Sequence, residues 1–356
     1  MQTHKEEQVA SSELDEISSS LENVYEKAAQ LIYNSKYLLI TCGAGFSKDS
    51  GLAVYKDIAS NPIYQEKNLT YHDLARPVST FETEQELLDY YGFWVNCAQS
   101  YLNTPSHSGY QILKDWKQLL YSKKEIQKEF NEKQIEILSA SQWWKENCKI
   151  ASNMFIYSSN VDNHFSRYFE KEEIYNIHGH ALNWQCGNHC NEDCVWNFTK
   201  QLQNIIINQE TLQIDNEKLK ELKCEKCQHA SMPNVLMFGD LGQYIRNTEE
   251  EDRYIAWECS VETFSKESST KFPFIILELG CGLTVPSVRR ENECVLLDCD
   301  ESYLIRVNLG QEELDTIHNV DLIPMKNDRI LNIKNGCQDA LHRIHQHLLK
   351  IIENNK

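Results

Sequence analysis

The stretch Thr41 to Asp57, TCGAGFSKDSGLAVYKD, constrains this chain more than any other. It follows the apolar run Tyr37-Leu38-Leu39-Ile40, so a buried strand leads directly into a glycine-bearing turn. Gly43 and Gly45 bracket Ala44, which lets backbone N–H groups approach a pyrophosphate. Ser47 to Gly51 is expected to open the helix whose N-terminus attracts that charge. Lys48 stands where the third glycine of the usual dinucleotide fingerprint would be, and no acidic residue sits at the expected distance on an obvious second strand. A glycine pair after a strand is also an ordinary turn, so this signal needs the rest of the chain.

The periodicity alternates between two kinds of element. Leu21, Val24, Tyr25, Ala28, Leu31 and Ile32 recur at helical spacing ahead of the first strand, and Glu84 to Tyr101 reads as a helix broken by Pro105-Ser-His-Ser-Gly-Tyr110. His107, inside that break, reads as a structural capping or core histidine. Short β-rich runs are expected at Met154 to Tyr157, Ile174 to Ile177, Val235 to Phe238, Phe274 to Leu279, Cys294 to Leu297 and Leu304 to Val307. Leu341, Ile344, Leu348 and Ile351 stripe a closing helix after Gly336. Strands alternating with helices imply an α/β fold with a parallel sheet, and a ligand at the strands' carboxyl ends. Residues 1–16 read as a flexible N-terminus, and residues 123–149 as a charged helical insertion on the surface.

Charge and composition narrow the partners. The 356 residues carry 53 acidic and 35 basic side chains, a formal charge of −18, which argues against nucleic-acid backbone binding and suits cationic partners such as lysine-bearing peptides. No run approaches the roughly 18 apolar residues of a membrane span, and the first residues lack a leader's character, so a cytoplasmic or nuclear location without membrane is expected. Thirteen cysteines in such a chain point to thiols and metal rather than disulfides.

Two of those cysteine groups have metal spacing: Cys186-x3-Cys190 and, further on, Cys224-x2-Cys227. Two close pairs let four thiolates converge in a tetrahedron around zinc and hold together a module with little core of its own. Cys194 competes with Cys190 for the fourth position, and His180 and His189 are nearby alternatives. A closed four-ligand site leaves no place for a reacting water, so its role is structural.

Taken in order, GAGFSKDSGL, Ser158-Ser159-Asn160-Val161-Asp162, His178-Gly179, the cysteine pairs and Pro233 to Asp240 (PNVLMFGD) resemble the sirtuin family over roughly residues 20 to 350. The resemblance implies an NAD-dependent protein-lysine deacylase that passes the acyl group to ADP-ribose and releases nicotinamide. It also implies a doubly wound, Rossmann-like parallel sheet (17–179 and 233–356) with an inserted zinc module (180–232). By the same resemblance Gly43, Ala44, Gly45 and Ser47 cradle NAD phosphates, and Tyr55 and Lys56 cover the reacting ribose. Ser159, Asn160 and Asp162 hold the ribose and carboxamide, and His178 is the general base, with Asn160 also in the catalytic set. Phe238 and Gly239 pair with an acyl-lysine peptide, while Gly280, Gly282, Asn308 and Cys337 fall at the adenosine contacts.

The chain departs from the family pattern at three places. Pro-Asp-Phe-Arg reads Ala53-Val54-Tyr55-Lys56, the Gln before Asn160 is Ser159, and Gly-Thr-Ser has become Gly280-Cys281-Gly282. Lys lacks the planar fork of Arg. Two further readings therefore stand beside deacylation: an NAD glycohydrolase or ADP-ribosyltransferase, and a non-catalytic NAD-binding scaffold. No Tyr-x-x-Arg pair of the kind the family uses to read succinyl or malonyl groups is found, the one such spacing, Tyr303 to Arg306, falling at an expected strand, so a small or apolar acyl group is expected.

Overall fold

The structure is a computed structural model and describes residues 22–54, 57, 60–122, 128, 132, 152–191, 193–240, 242–267 and 273–356. The expected N-terminus 1–16, nearly all of the insertion 123–149, and both Tyr55 and Lys56 lie outside the described residues.

Among the described residues nine strands are formed: β1 (Tyr37–Cys42), β2 (Met154–Ser158), β3 (Ile174–Asn176), β4 (Gly179–Cys186), β5 (Val195–Asn197), β6 (Ser231–Val235), β7 (Phe274–Leu279), β8 (Ser302–Asn308) and β9 (Ile330–Lys334). Six make one parallel sheet in the order β3-β2-β1-β7-β8-β9, and three make a small sheet in the order β5-β4-β6. The first order, with neighbours distant in sequence and helices between, is that of a doubly wound α/β fold. β1, β2 and β7 are buried along their whole length, which is why they read as mainly apolar runs, with Glu278 of β7 the charged exception, instead of alternating ones.

The chain divides into two compact units, one of residues 1–41, 108–156 and 256–356, the other of residues 42–107 and 157–255. In the first, β7 and β8 run parallel with Leu277 opposite Ile305, and β8 and β9 with Ile305 opposite Leu331. Helix α1 (22–34) buries Tyr25, Ala28, Ala29 and Ile32, and the last helix, Cys337–Asn354, buries Leu341, Ile344 and Leu348, the stripe expected from spacing. This unit also buries charge. Glu278 of β7 pairs with Arg289 at 3.1 Å and with Arg306 of β8 at 2.7 Å, and Arg306 reaches Glu293 at 3.3 Å. All four side chains are fully enclosed, and the guanidinium of Arg289 also donates to the carbonyls of Glu313 and Thr316 at 2.7 Å. Buried ions persist only when satisfied in this way.

The second unit has its own core, built on helix Glu84–Asn103, which carries a capping box at Thr83 and Glu86. Tyr90, Tyr91, Trp94 and Trp184 are its largest enclosed side chains. β4 pairs antiparallel with β5 and β6, Trp184 opposite Trp196 and Pro233.

Three local expectations change. Cys294 to Leu297 is helix, within Ser287–Asp298, because Val288, Asn292, Val295 and Leu296 recur at helical spacing and are buried together. The strand expected at Val235 to Phe238 lies earlier, at Ser231–Val235; the Leu236 N–H still donates to the His178 carbonyl at 3.0 Å, but the Phe238 N–H turns away to the Ala75 carbonyl at 2.9 Å. The helix after the glycine turn begins at Ala44 rather than near Ser47, and ends at Lys48. Among the described residues, no helix is long and apolar enough to cross a membrane.

Candidate active site

The stretches expected to hold NAD after β1, β2, β3, β7, β8 and β9 lie at or just beyond the carboxyl ends of those strands. Gly43 follows β1, Ser159 follows β2, and Ile177-His178 follows β3; Gly280 follows β7, Asn308 ends β8, and Cys337 stands just beyond β9. In a parallel α/β sheet these ends are where ligand-binding loops sit.

In the second unit the turn after β1 becomes helix α2 (Ala44–Lys48), with Gly43 as an extended N-cap and no side chain capping it. The Phe46 N–H donates to the Gly43 carbonyl at 3.0 Å, so the N–H groups of Ala44 and Gly45 are the ones of the kind left over at a helix start and suited to an oxyanion. Phe46 anchors the turn: His107 Nε2 lies 3.0 Å from the Phe46 carbonyl, its ring meets the Phe46 ring edge-on, and Phe165 stacks on Phe46. His107 is thus the structural histidine that its setting suggested. Gly51, at φ 86°, turns the chain out of the helix in a conformation that side chains rarely adopt.

Ser47 points inward and is 5% exposed. Its hydroxyl donates to the Asp162 carboxylate and accepts from Asn160 Nδ2 at 3.0 Å, so three of the residues named above form one hydrogen-bonded group. Asp162 also accepts from the His164 backbone N–H at 2.7 Å, which sets the loop after β2. Ser159 bonds the Cys42 carbonyl through both its N–H and its hydroxyl, at 3.0 and 3.2 Å. The Asn160 side chain is buried, yet its Oδ1 has no hydrogen-bond partner among the described residues. A buried amide oxygen left unpaired costs about 1–3 kcal/mol, a debt a ligand donor would remove.

Two imidazoles follow β3. Burial holds the His178 pKa below its ordinary value, opposed by a hydrogen bond with the Ser159 backbone. Burial drives His180 further, to about 4, with the Asp162 charge acting the other way, and His180 Nδ1 is buried without a partner among the described residues. Both rings are therefore neutral at pH 7. Gly179 between them has φ 69°, and a Cβ there would stand 2.1 Å from the Asn234 carbonyl oxygen, so only glycine fits. His164 was not singled out in the sequence; its Nε2 lies 2.9 Å from the Tyr101 carbonyl, and burial lowers its pKa.

Phe238 is held by its N–H donating to the Ala75 carbonyl at 2.9 Å and by ring contacts with Tyr71 and His72. Gly239, at φ 69°, has open space where a side chain would be.

In the first unit, Gly280 has φ 64° and donates to the Val307 carbonyl at 3.0 Å. The Cys281 carbonyl accepts from Asn308 Nδ2 at 3.0 Å and Arg289 Nη1 at 3.3 Å, fixing the loop, and open space surrounds Gly282. Cys337 is buried at the start of its helix.

The thiols cluster as their spacing predicts. The sulfurs of Cys186, Cys190, Cys224 and Cys227 all lie within 4.8 Å of one another, a group that could hold a metal, and no histidine belongs to it. His189 Nδ1 instead lies 3.2 Å from the Gly242 carbonyl.

No protein-family model and no curated protein matches this sequence. Solved structures do. A Sir2 homologue in complex with NAD aligns with a TM-score of 0.56 at 16% identity, covering 92% of this chain and 94% of that one. The chain has the sirtuin fold. A Sir2 homologue variant bound to 2′-O-acetyl-ADP-ribose aligns at 0.53, with 15% identity over 92% of this chain and 97% of that one. A Sir2 complex with a p53 peptide and NAD+ aligns at 0.51, with 14% identity over 90% and 96%. At these low identities the likeness is one of fold, and the chain itself has a six-stranded parallel sheet and a four-cysteine cluster.

Proposed function

We propose that this chain is an NAD-dependent protein-lysine deacylase that transfers a small or apolar acyl group to ADP-ribose with release of nicotinamide. The observation that carries the reading is the Ser47–Asn160–Asp162 group, which is internally satisfied except for the buried Asn160 Oδ1. That atom fits the N–H donor of a carboxamide, and the uncapped start of α2 fits phosphate. When bound, NAD supplies the glycosidic bond whose cleavage frees nicotinamide and opens a sugar carbon to the acyl oxygen.

The chain's own residues orient and deprotonate. Ser47 and Asp162 lock the Asn160 amide so that Oδ1 keeps one direction, the pre-organisation on which such chemistry depends. His178, kept neutral by burial, accepts the proton of a ribose hydroxyl at a ring nitrogen, freeing that oxygen to attack. Gly280, Gly282, Asn308 and Cys337 take the adenosine end, and Tyr55 and Lys56 cover the ribose. The open Gly239 and the exposed Leu236 continue from β6, an edge of its sheet, and take the acyl-lysine peptide by strand addition. Zinc on the four thiols is structural and serves a module of residues 180–232 inserted in the nucleotide-binding domain.

The test is nicotinamide release from NAD with and without an acetyl-lysine peptide. Release that requires peptide, and falls about 10²–10⁴-fold in His178→Ala, supports the reading. Equal release without peptide assigns NAD hydrolysis or ADP-ribosyl transfer instead. NAD binding with no release assigns a non-catalytic role.

A further inference from the structure

The thiol cluster holds more sulfur than a four-coordinate ion needs. A tetrahedral zinc with Zn–S near 2.3 Å places its sulfurs about 3.8 Å apart. Cys186 and Cys227 are 3.4 Å apart, and Cys190 and Cys224 are 3.8 Å apart, which fits. Cys194 has the same spacing: its Sγ lies 3.5 Å from Cys224 and 3.9 Å from Cys190. It sits on the Cys190–Cys224 edge of the tetrahedron, outside the group of four.

From this geometry we infer that Cys194 is a reserve ligand, which takes the fourth metal position when Cys190 gives it up. The two candidates differ in burial. Cys190 is exposed, whereas Cys194 is 5% exposed and packed with Cys186, Cys224 and Ile245. The exposed thiolate is the one that solutes reach first, and the buried one is protected behind it.

The backbone holds Cys194 in place independently of any metal. Its N–H donates to the Asn191 carbonyl at 3.1 Å, and its own carbonyl accepts from the Cys186 N–H at 3.2 Å, tying it to the first ligand. The Asn191 side chain also accepts from the Asp193 N–H at 2.8 Å, a second tie close to Cys194. A shift of the Cys194 side chain, without rebuilding of the strand that follows, therefore suffices for the exchange. In that exchange the Cys190 sulfur leaves the ion and takes a proton. The Cys194 thiol releases its proton to solvent and forms the new metal–sulfur bond, so charge at the centre is unchanged. No oxidant is involved, and the inference does not depend on the NAD reading.

The experiment uses the full chain purified with zinc, as wild type, Cys190→Ser, Cys194→Ser, the double variant, and Cys186→Ser. Metal content is measured after dialysis, and zinc release into a chromogenic chelator is timed. Even losing a group that only supports a ligand lowers metal affinity about 10–100-fold, so losing a ligand outright should speed release by at least about tenfold. The expected result is that both single variants keep the wild-type metal content and release it within about threefold of the wild-type rate, while the double variant matches Cys186→Ser. Cobalt-loaded Cys190→Ser should keep the thiolate absorption of four sulfurs. Metal loss from Cys190→Ser as fast as from the double variant, or a three-sulfur cobalt spectrum, overturns the inference. A Cys190→Ser chain that holds no metal at all counts against it equally, because serine at an exposed position disturbs no packing.

Discussion

His180 makes the second unit acid-labile in a way that can be calculated and isolated. Its ring is buried as the neutral form, with a pKa of about 4 against 6.5 for the free side chain. Above pH 6.5 it is neutral in both folded and unfolded chains. Below that, the unfolded chain binds a proton that the folded chain refuses until near pH 4, so stability falls as pH falls through this window. The full depression corresponds to about 3 kcal/mol, of which about 2 kcal/mol is lost by pH 5. The perturbation is His180→Gln, which is uncharged at every pH. Each protein is unfolded in urea at pH 7 and at pH 5, followed by the fluorescence of the enclosed Trp94 and Trp184 of the same unit. Constant effects of the substitution cancel within each protein, as do the other depressed histidines, His164, His178 and His345, which both proteins share. Wild type should lose about 2 kcal/mol more than the variant between the two pH values. Equal losses would show that His180 is protonated or solvated in the folded chain, and that its burial is misjudged.

Other substitutions test the site piece by piece. Ser47→Ala removes the hydroxyl shared by Asp162 and Asn160, and should cost about 1–3 kcal/mol in urea unfolding; a cost near zero would mean that water replaces it freely. Gly179→Ala combines a left-handed φ with a Cβ 2.1 Å from a backbone oxygen, so a loss of at least about 2 kcal/mol is expected, against which an unchanged melting midpoint would count. Arg289→Met leaves the enclosed cluster of Glu278, Glu293 and Arg306 with one unbalanced negative charge and removes one of the two donors to the Cys281 carbonyl; about 3–5 kcal/mol of destabilisation is expected, and denaturation midpoints matching wild type would contradict it.

Much of the fold was legible because its central strands are enclosed on both faces. Leu38-Leu39-Ile40 and Phe274 to Leu277 have no exposed side to carry polar residues, so the sequence shows plain apolar runs. β4 was not legible. It buries Gln185, whose amide is satisfied by Asn234 and by the Ile245 N–H and so needs no apolar pattern. β6 contains Pro233, which hides a strand from propensity, and β9, Ile330–Lys334, is half-buried and short. The error at Cys294 to Leu297 came from reading four residues where the helical period needed eleven. At the site, the positions after each strand could be read, whereas the Ser47–Asp162 pairing spans 115 residues and depends on the sheet bringing β1 and β2 together. The cysteine spacing gave the metal group directly, because its pairs are local.

The central claim concerns where the acyl group goes. Mass analysis of products from NAD and an acetyl-lysine peptide measures this directly. The account predicts deacetylated peptide and acetyl-ADP-ribose in equal amounts, with nicotinamide matching both. Free ADP-ribose formed at the same rate without peptide, or nicotinamide with the acetyl group still on lysine, would contradict it.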